Sequence, residues 1–207
     1  GVRMISGKME NRRFIPNITA EEIANHELSW FRGEIIVVDN LKSLNRVFPA
    51  LLENDLLGFD TETKPTFKKG KRNNVSLIQL ANENLAVLFR INKIGLPQEL
   101  LQLLSNNNIL KAGVAIHDDL RFLKGIRDFK PEGFVELQTM VKEFGIESAG
   151  LKKLTAIILG FRISKSQQVT NWEAEQLTDA QILYAATDAW VCHQIYRELT
   201  KDEVKSA

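Results

Sequence analysis

The chain has 207 residues, 27 Lys and Arg against 26 Asp and Glu for a net charge of +1, and 44% hydrophobic residues, which places it among ordinary soluble proteins with enough apolar side chains for a sizeable core. Its single cysteine, Cys192, excludes an internal disulfide and, with no clustered histidines, argues against a structural zinc site. A reducing, cytoplasmic compartment is therefore expected, and the near-neutral charge does not announce a nucleic-acid binder.

Residues 1–17 read as a polar N-terminal arm, with Met4 and Met9 both candidate native starts, and 18–207 as a single domain. Arg3, Lys8, Arg12 and Arg13 precede no apolar signal-peptide core, and no segment approaches the apolar length that spans a bilayer, so neither export nor membrane insertion is expected. Thr19-Ala20-Glu21-Glu22-Ile23 has the pattern of a capped helix start. A strand is expected over 35–38, a helix over 41–53, and three strands joined by turns over 56–61, 75–80 and 85–89. Leu96-Pro97 opens a helix to about 104, a strand runs over 109–115, and helices lie near 118–125, 136–144, 151–159 and 178–199. No internal repeat or low-complexity segment interrupts them. Three consecutive strands followed by a strand among helices imply an α/β fold, a mixed central β-sheet flanked by α-helices rather than a purely parallel doubly wound sheet.

Four acidic residues and a tyrosine stand out against this frame. Asp60 and Glu62 end the apolar run Leu56-Leu57-Gly58-Phe59, and the period-2 alternation of a strand points both carboxylates the same way. Tyr184 and Asp188, four apart in a helix-like stretch with Ala185, Ala186 and Ala189, share one helix face among side chains small enough for close packing. In Ala112-Gly113-Val114-Ala115-Ile116-His117-Asp118-Asp119, a buried strand runs into a helix whose first turn carries both aspartates. Taken alone, that pair reads as helix-capping residues favoured by the helix dipole.

In this order the three segments resemble the DEDD superfamily of 3′-5′ exonucleases, in the tyrosine-containing subclass that includes ribonuclease D and the Werner syndrome helicase exonuclease domain. Phe59-Asp60-Thr61-Glu62 looks like the first family motif, Ala112 to Asp119 the second, and Tyr184-Ala185-Ala186-Thr187-Asp188-Ala189 the third; Val75-Ser76-Leu77-Ile78-Gln79-Leu80 and Asn171-Trp172 add to the match. The resemblance implies the ribonuclease H-like fold and catalytic residues Asp60, Glu62, Asp119, Tyr184 and Asp188. It takes Asp119 as the ligand of the second motif, with the adjacent Asp118 as the alternative.

In-line attack on phosphorus builds charge on the attacking and leaving oxygens, and two divalent cations about 4 Å apart stabilise both ends. Hard Mg²⁺ or Mn²⁺ ions prefer carboxylate oxygens. On the resemblance Asp60 bridges two such ions, Glu62 and Asp188 complete the nucleophile-side metal, and Asp119 holds the other. Tyr184 then orients the attacking water rather than deprotonating it, because a phenol with a reference pKa near 10 is a poor base.

Lys68, Lys69, Lys71 and Arg72 form a basic run around Gly70, expected as a hairpin turn beside the acidic site, and read either as a solvated turn or as phosphate contacts. Lys111, Lys152, Lys153, Arg162 and Lys165 are weaker candidates of the same kind. Trp172 is a candidate for stacking on a base or walling off the site, with a core tryptophan the preferred reading; Gln79, Phe67 and His117 are similarly two-sided. Three functions follow: a metal-dependent 3′-5′ exonuclease releasing nucleoside 5′-monophosphates, DNA favoured, from single-stranded or 3′-recessed ends; a ribonuclease D-like enzyme trimming RNA 3′ ends; and a non-catalytic nucleic-acid-binding module.

Overall fold

A computed structural model of the chain describes residues 13–206, with side chains as far as 203, so residues 1–12 of the expected arm and Ala207 lie outside the described residues. Among the described residues one six-stranded sheet holds β1 (Glu34–Val38), β2 (Leu56–Thr63), β3 (Val75–Ala81), β4 (Leu85–Arg90), β5 (Leu110–Gly113) and β6 (Phe134–Glu136), in the order β1-β4-β3-β2-β5-β6. β2, β3 and β4 are the antiparallel meander, while β1 joins β4, β5 joins β2 and β6 joins β5 in parallel. The mixed topology read from the sequence is the one observed.

Flanking helices are α1 (Ala20–Ala24), α2 (Leu44–Leu52), α3 (Ile91–Ile94), α4 (Gln98–Leu104), α5 (Ile116–Ile126), α6 (Leu137–Met140), α7 (Leu151–Leu159) and α8 (Asp179–Ser206). The Thr19 hydroxyl accepts from the Glu22 N–H (3.1 Å) and the Glu22 carboxylate from the Thr19 N–H (3.2 Å), the capping box expected at α1. Residues 13–17 lie against the body: Phe14 meets Phe144 edge-on at 6.4 Å, and the Pro16 carbonyl accepts from the Glu147 N–H at 2.8 Å.

Two expected helices are corrected. The one over 41–53 opens with a 3-10 turn, Leu41–Ser43, whose Ser43 N–H donates to the Asn40 side chain (3.1 Å), before α2 begins. The one over 136–144 divides into the end of β6, α6 and a 3-10 turn, Val141–Phe144. β6 is three half-buried residues held by register with β5, too short to show period-2 alternation.

Alternation sorts the sheet residues into two cores. Leu57, Phe59, Ile78, Leu80, Val87 and Phe89 pack with Leu44, Val47 and Leu51 of α2, Leu100 of α4 and Leu123 of α5. On the opposite face Leu77, Ala81, Ala86 and Leu88 meet Tyr184, Ala185, Ala186 and Ala189 of α8. Burying each such Leu or Phe contributes about 2 kcal/mol. β3 is covered on both faces and reads as a continuous apolar run for that reason.

Gly58, between Leu57 and Phe59, faces α8. A Cβ there would lie 2.8 Å from the His193 backbone nitrogen and closer still to the Ala189 carbonyl oxygen, so only glycine lets the helix backbone seat against β2. The contact sets where Tyr184 and Asp188 stand relative to Asp60 and Glu62. No helix among the described residues is long and apolar enough to cross a membrane.

Candidate active site

Asp60 and Glu62 follow Gly58 at two-residue intervals and share its face of β2, while Tyr184 and Asp188 project from successive turns of α8 toward them. One carboxylate oxygen from each of Asp60, Glu62 and Asp188 lies within 4.8 Å of the others. Burial and mutual repulsion act together here. The Asp60 carboxyl is held well above the usual range by burial, then by Asp188 and Asp119. Glu62 is raised by burial, then by Asp60 and Asp188. Asp188 is pushed up to about 6 by burial, against the opposing pull of Lys152 and a hydrogen bond from Tyr184.

The donor set fits a hard divalent cation. All three groups are carboxylates, and the buried Asp188 Oδ1 has no hydrogen-bond donor among the described residues, so that oxygen lacks the partner a metal would supply. Lys152 is the nearest compensation: its Nζ lies 3.5 Å from Asp188 Oδ2 and 3.4 Å from the Tyr184 hydroxyl. Burial, followed by Asp188, Glu62 and Asp60, raises the Tyr184 phenol and keeps it protonated.

The adjacent aspartates of the second motif have different surroundings. Ala115, before α5, adopts φ 55°, a left-handed conformation that costs a non-glycine residue about 1 kcal/mol. The Glu136 carboxylate, at the end of β6, accepts from the Ala115 and Ile116 N–H groups at 2.9 Å each and so caps α5. Neither aspartate caps the helix. Asp118 is exposed and pairs with Arg121 at 3.3 Å. Asp119 is turned inward, takes a hydrogen bond from the Thr61 side chain and pairs with Arg72 at 3.4 Å; burial raises its carboxyl while Thr61 and Arg72 hold it down. Its charge reaches Asp60 but its oxygens stand outside the Asp60–Glu62–Asp188 cluster.

The basic run forms the expected turn between β2 and β3, with Gly70 at φ 76° and the Lys71 N–H donating to the Lys68 carbonyl at 3.2 Å. Lys68, Lys69 and Lys71 are exposed, Phe67 at the same tip is 92% exposed, and Arg72 stacks over Phe122 at 4.2 Å while pairing with Asp119.

Several other candidates serve the fold. Trp172 is fully buried, 6.0 Å from the Tyr184 ring, so it walls the site from behind and cannot stack on a base. Lys111 is buried and donates to the Leu103 and Asn106 carbonyls at 3.1 and 2.8 Å, a structural use that removes it from the phosphate candidates. Arg162 donates to the His26 carbonyl at 3.0 Å, and Lys153 approaches Asn17 at 3.5 Å. Lys165 and His117 are exposed. Gln79 does more than pair strands: its amide donates to the Ala185 carbonyl at 3.2 Å and to Glu62, tying β3 to both halves of the site. Its register opposite Asp60 was the available signal. Glu136 and Lys152 gave none beyond charge.

The family model described as 3′-5′ exonuclease matches residues 35–203, and the chain belongs to that family. The mouse (Mus musculus) bifunctional 3′-5′ exonuclease/ATP-dependent helicase WRN is 40% identical over 155 residues, 72% of this chain and 11% of that protein. A putative 3′-5′ exonuclease, R431, of Acanthamoeba polyphaga mimivirus is 31% identical over 200 residues, 88% of this chain and 48% of its own. The chain thus spans less than half the length of either relative. The Aedes aegypti Nibbler EXO domain superposes with TM-score 0.73 at 24% identity, covering 87% of this chain and 94% of that one, and Escherichia coli RNase D with 0.72 at 24%, covering 84% and 46%. These two likenesses show the fold, that of the ribonuclease D-like exonucleases.

Proposed function

We propose that residues 18–207 form one domain that is a metal-dependent 3′-5′ exonuclease, hydrolysing terminal phosphodiester bonds of nucleic acid, DNA by preference, and releasing nucleoside 5′-monophosphates. The observation that carries this reading is the cluster of Asp60, Glu62 and Asp188 oxygens within 4.8 Å, with one Asp188 oxygen lacking a donor. Asp60, Glu62, Asp188 and Asp119 would hold two divalent cations, Mg²⁺ or Mn²⁺. When bound, such ions stabilise charge on the attacking and leaving oxygens and ease deprotonation of water.

The chain's own side chains do the rest. The Tyr184 phenol, kept protonated by burial, donates to Asp188 and orients the attacking water rather than acting as its base. Gln79 and Thr61 fix the rotamers of Glu62 and Asp119. Lys68, Lys69 and Lys71 are free to meet the phosphates of a single strand or a 3′-recessed end, and Arg72, already at Asp119, lies between that strand and the acids.

Identity to ribonuclease D of Haemophilus influenzae, 34% over 105 residues, is lower and shorter than the 40% over 155 residues to WRN, so the likeness whose name specifies RNA is the weaker of the two. That weaker likeness keeps a ribonuclease D-like activity on RNA 3′ ends as the alternative. A non-catalytic binding module is disfavoured by the presence of all four carboxylates.

The test incubates 5′-labelled single-stranded and 3′-recessed DNA and matched RNA with the protein in Mn²⁺, Mg²⁺ or EDTA, beside Asp60→Asn. A one-nucleotide ladder from the 3′ end, lost with EDTA and in the variant, is expected, with DNA faster. Faster RNA shortening selects the alternative, and binding without cleavage under any metal selects the non-catalytic module.

A further inference from the structure

We propose that Lys152 is a positioning residue for Tyr184: its ammonium holds the phenol oxygen so that the Tyr184 O–H is directed at Asp188 and the water beside it. The inference rests on the exonuclease reading above and adds a residue that lies in none of the acidic motifs.

Lys152 is the second residue of α7, and its Nζ stands 3.4 Å from the Tyr184 hydroxyl oxygen, 3.5 Å from Asp188 Oδ2 and 5.0 Å from the centre of the Tyr184 ring. An ammonium group donates hydrogen bonds and accepts none. The Tyr184 oxygen therefore accepts from Lys152 and is left to donate its own hydrogen, and Asp188 takes it. The O–H rotor, otherwise free to turn about the C–O bond, has one favoured setting. From behind, Trp172 packs 6.0 Å from the ring, so the tryptophan fixes the ring and the lysine fixes its hydroxyl.

The setting is not that of an ordinary surface charge. The Lys152 side chain is only 16% exposed, whereas its neighbour Lys153 is turned outward toward Asn17. A flexible four-carbon stem normally carries its ammonium into water. Here it is directed over an aromatic face and between a hydroxyl and a carboxylate, where a cation over the ring is itself favourable.

The test combines kinetics with spectroscopy on Lys152→Met, Lys152→Arg, Tyr184→Phe and the Lys152→Met/Tyr184→Phe double variant. With 5′-labelled oligonucleotide and saturating Mn²⁺, Lys152→Met should lower kcat on the order of tenfold with KM unchanged, and Lys152→Arg should retain most of the rate. The double variant should be no slower than Tyr184→Phe alone, because the lysine acts through the phenol. Mn²⁺ affinity by calorimetry should match the wild type. In metal-free protein carrying ¹³Cζ-tyrosine, the Tyr184 resonance should move in Lys152→Met. An unmoved resonance, an unchanged kcat, an equal loss in the Tyr184→Phe background, or a tenfold change in Mn²⁺ affinity would each overturn the proposal. A wild type that cleaves beside a kcat-neutral Lys152→Met overturns it alone, whereas a wild type inactive on every substrate overturns the exonuclease reading with it.

Discussion

The floor and the rim of the site are built in opposite ways. On the floor, Asp60, Glu62, Tyr184 and Asp188 come from β2 and α8, whose backbones touch at Gly58, and burial amplifies every charge there. On the rim, the turn between β2 and β3 carries Lys68, Lys69 and Lys71 into solvent with a 92% exposed Phe67, and screening leaves those charges nearly independent. Asp119 stands between, half tied to each by Thr61 and Arg72. The floor therefore governs chemistry and stability, and the rim governs grip.

The largest break in that contrast is a pair of glycine substitutions. Gly58→Ala places a methyl group against the α8 backbone at Ala189 and His193, and should destabilise the fold by about 3 kcal/mol and abolish most activity, because the helix must back away from β2. Gly70→Ala meets nothing within 4 Å and bears only the strain of φ 76°, so denaturant melts should show about 1 kcal/mol with kcat retained. Equal losses at the two positions would contradict the distinction.

Next comes pH. The folded carboxyls of Asp60, Glu62 and Asp188 lie above their unfolded values, Asp188 at about 6, so the folded state binds more protons than the unfolded one. Their contribution is present at low pH and is lost as pH rises through the folded pKa. In EDTA the Tm should fall between pH 5 and 8, and Asp188→Asn should flatten that fall; a wild-type Tm that rises across the window would reverse the sign of the argument.

The smallest effect belongs to the rim. Lys68→Ala/Lys69→Ala/Lys71→Ala should leave Tm and kcat nearly unchanged but reduce the slope of log affinity against log salt on single-stranded DNA by about 2, at roughly 0.7 per lost phosphate contact. An unchanged slope would mean that the lysines are a solvated turn.

The sequence made the floor legible because its geometry is short-range: carboxylates two apart on a strand and a Tyr–Asp pair four apart on a helix share a face whatever the rest of the fold does. The meander and the mixed sheet were legible for the same reason. Where partners are distant in sequence the signal vanished. Glu136 caps α5 from a three-residue strand hidden inside an apparent helix, and only that contact shows that Asp118 and Asp119 are not needed as caps. Lys152 looked like one more surface lysine until α7 and α8 packed together. Trp172 was ambiguous because an aromatic that lines a site and one that closes it from behind have the same local sequence.

The most direct test of the account is to melt wild type and Asp60→Asn at pH 7.5 with EDTA and with saturating Mn²⁺. Carboxylates crowded within 4.8 Å are repulsive when charged and need a cation, so Mn²⁺ should raise the wild-type Tm clearly and that of Asp60→Asn much less. Equal shifts in the two proteins would contradict a metal site at this cluster.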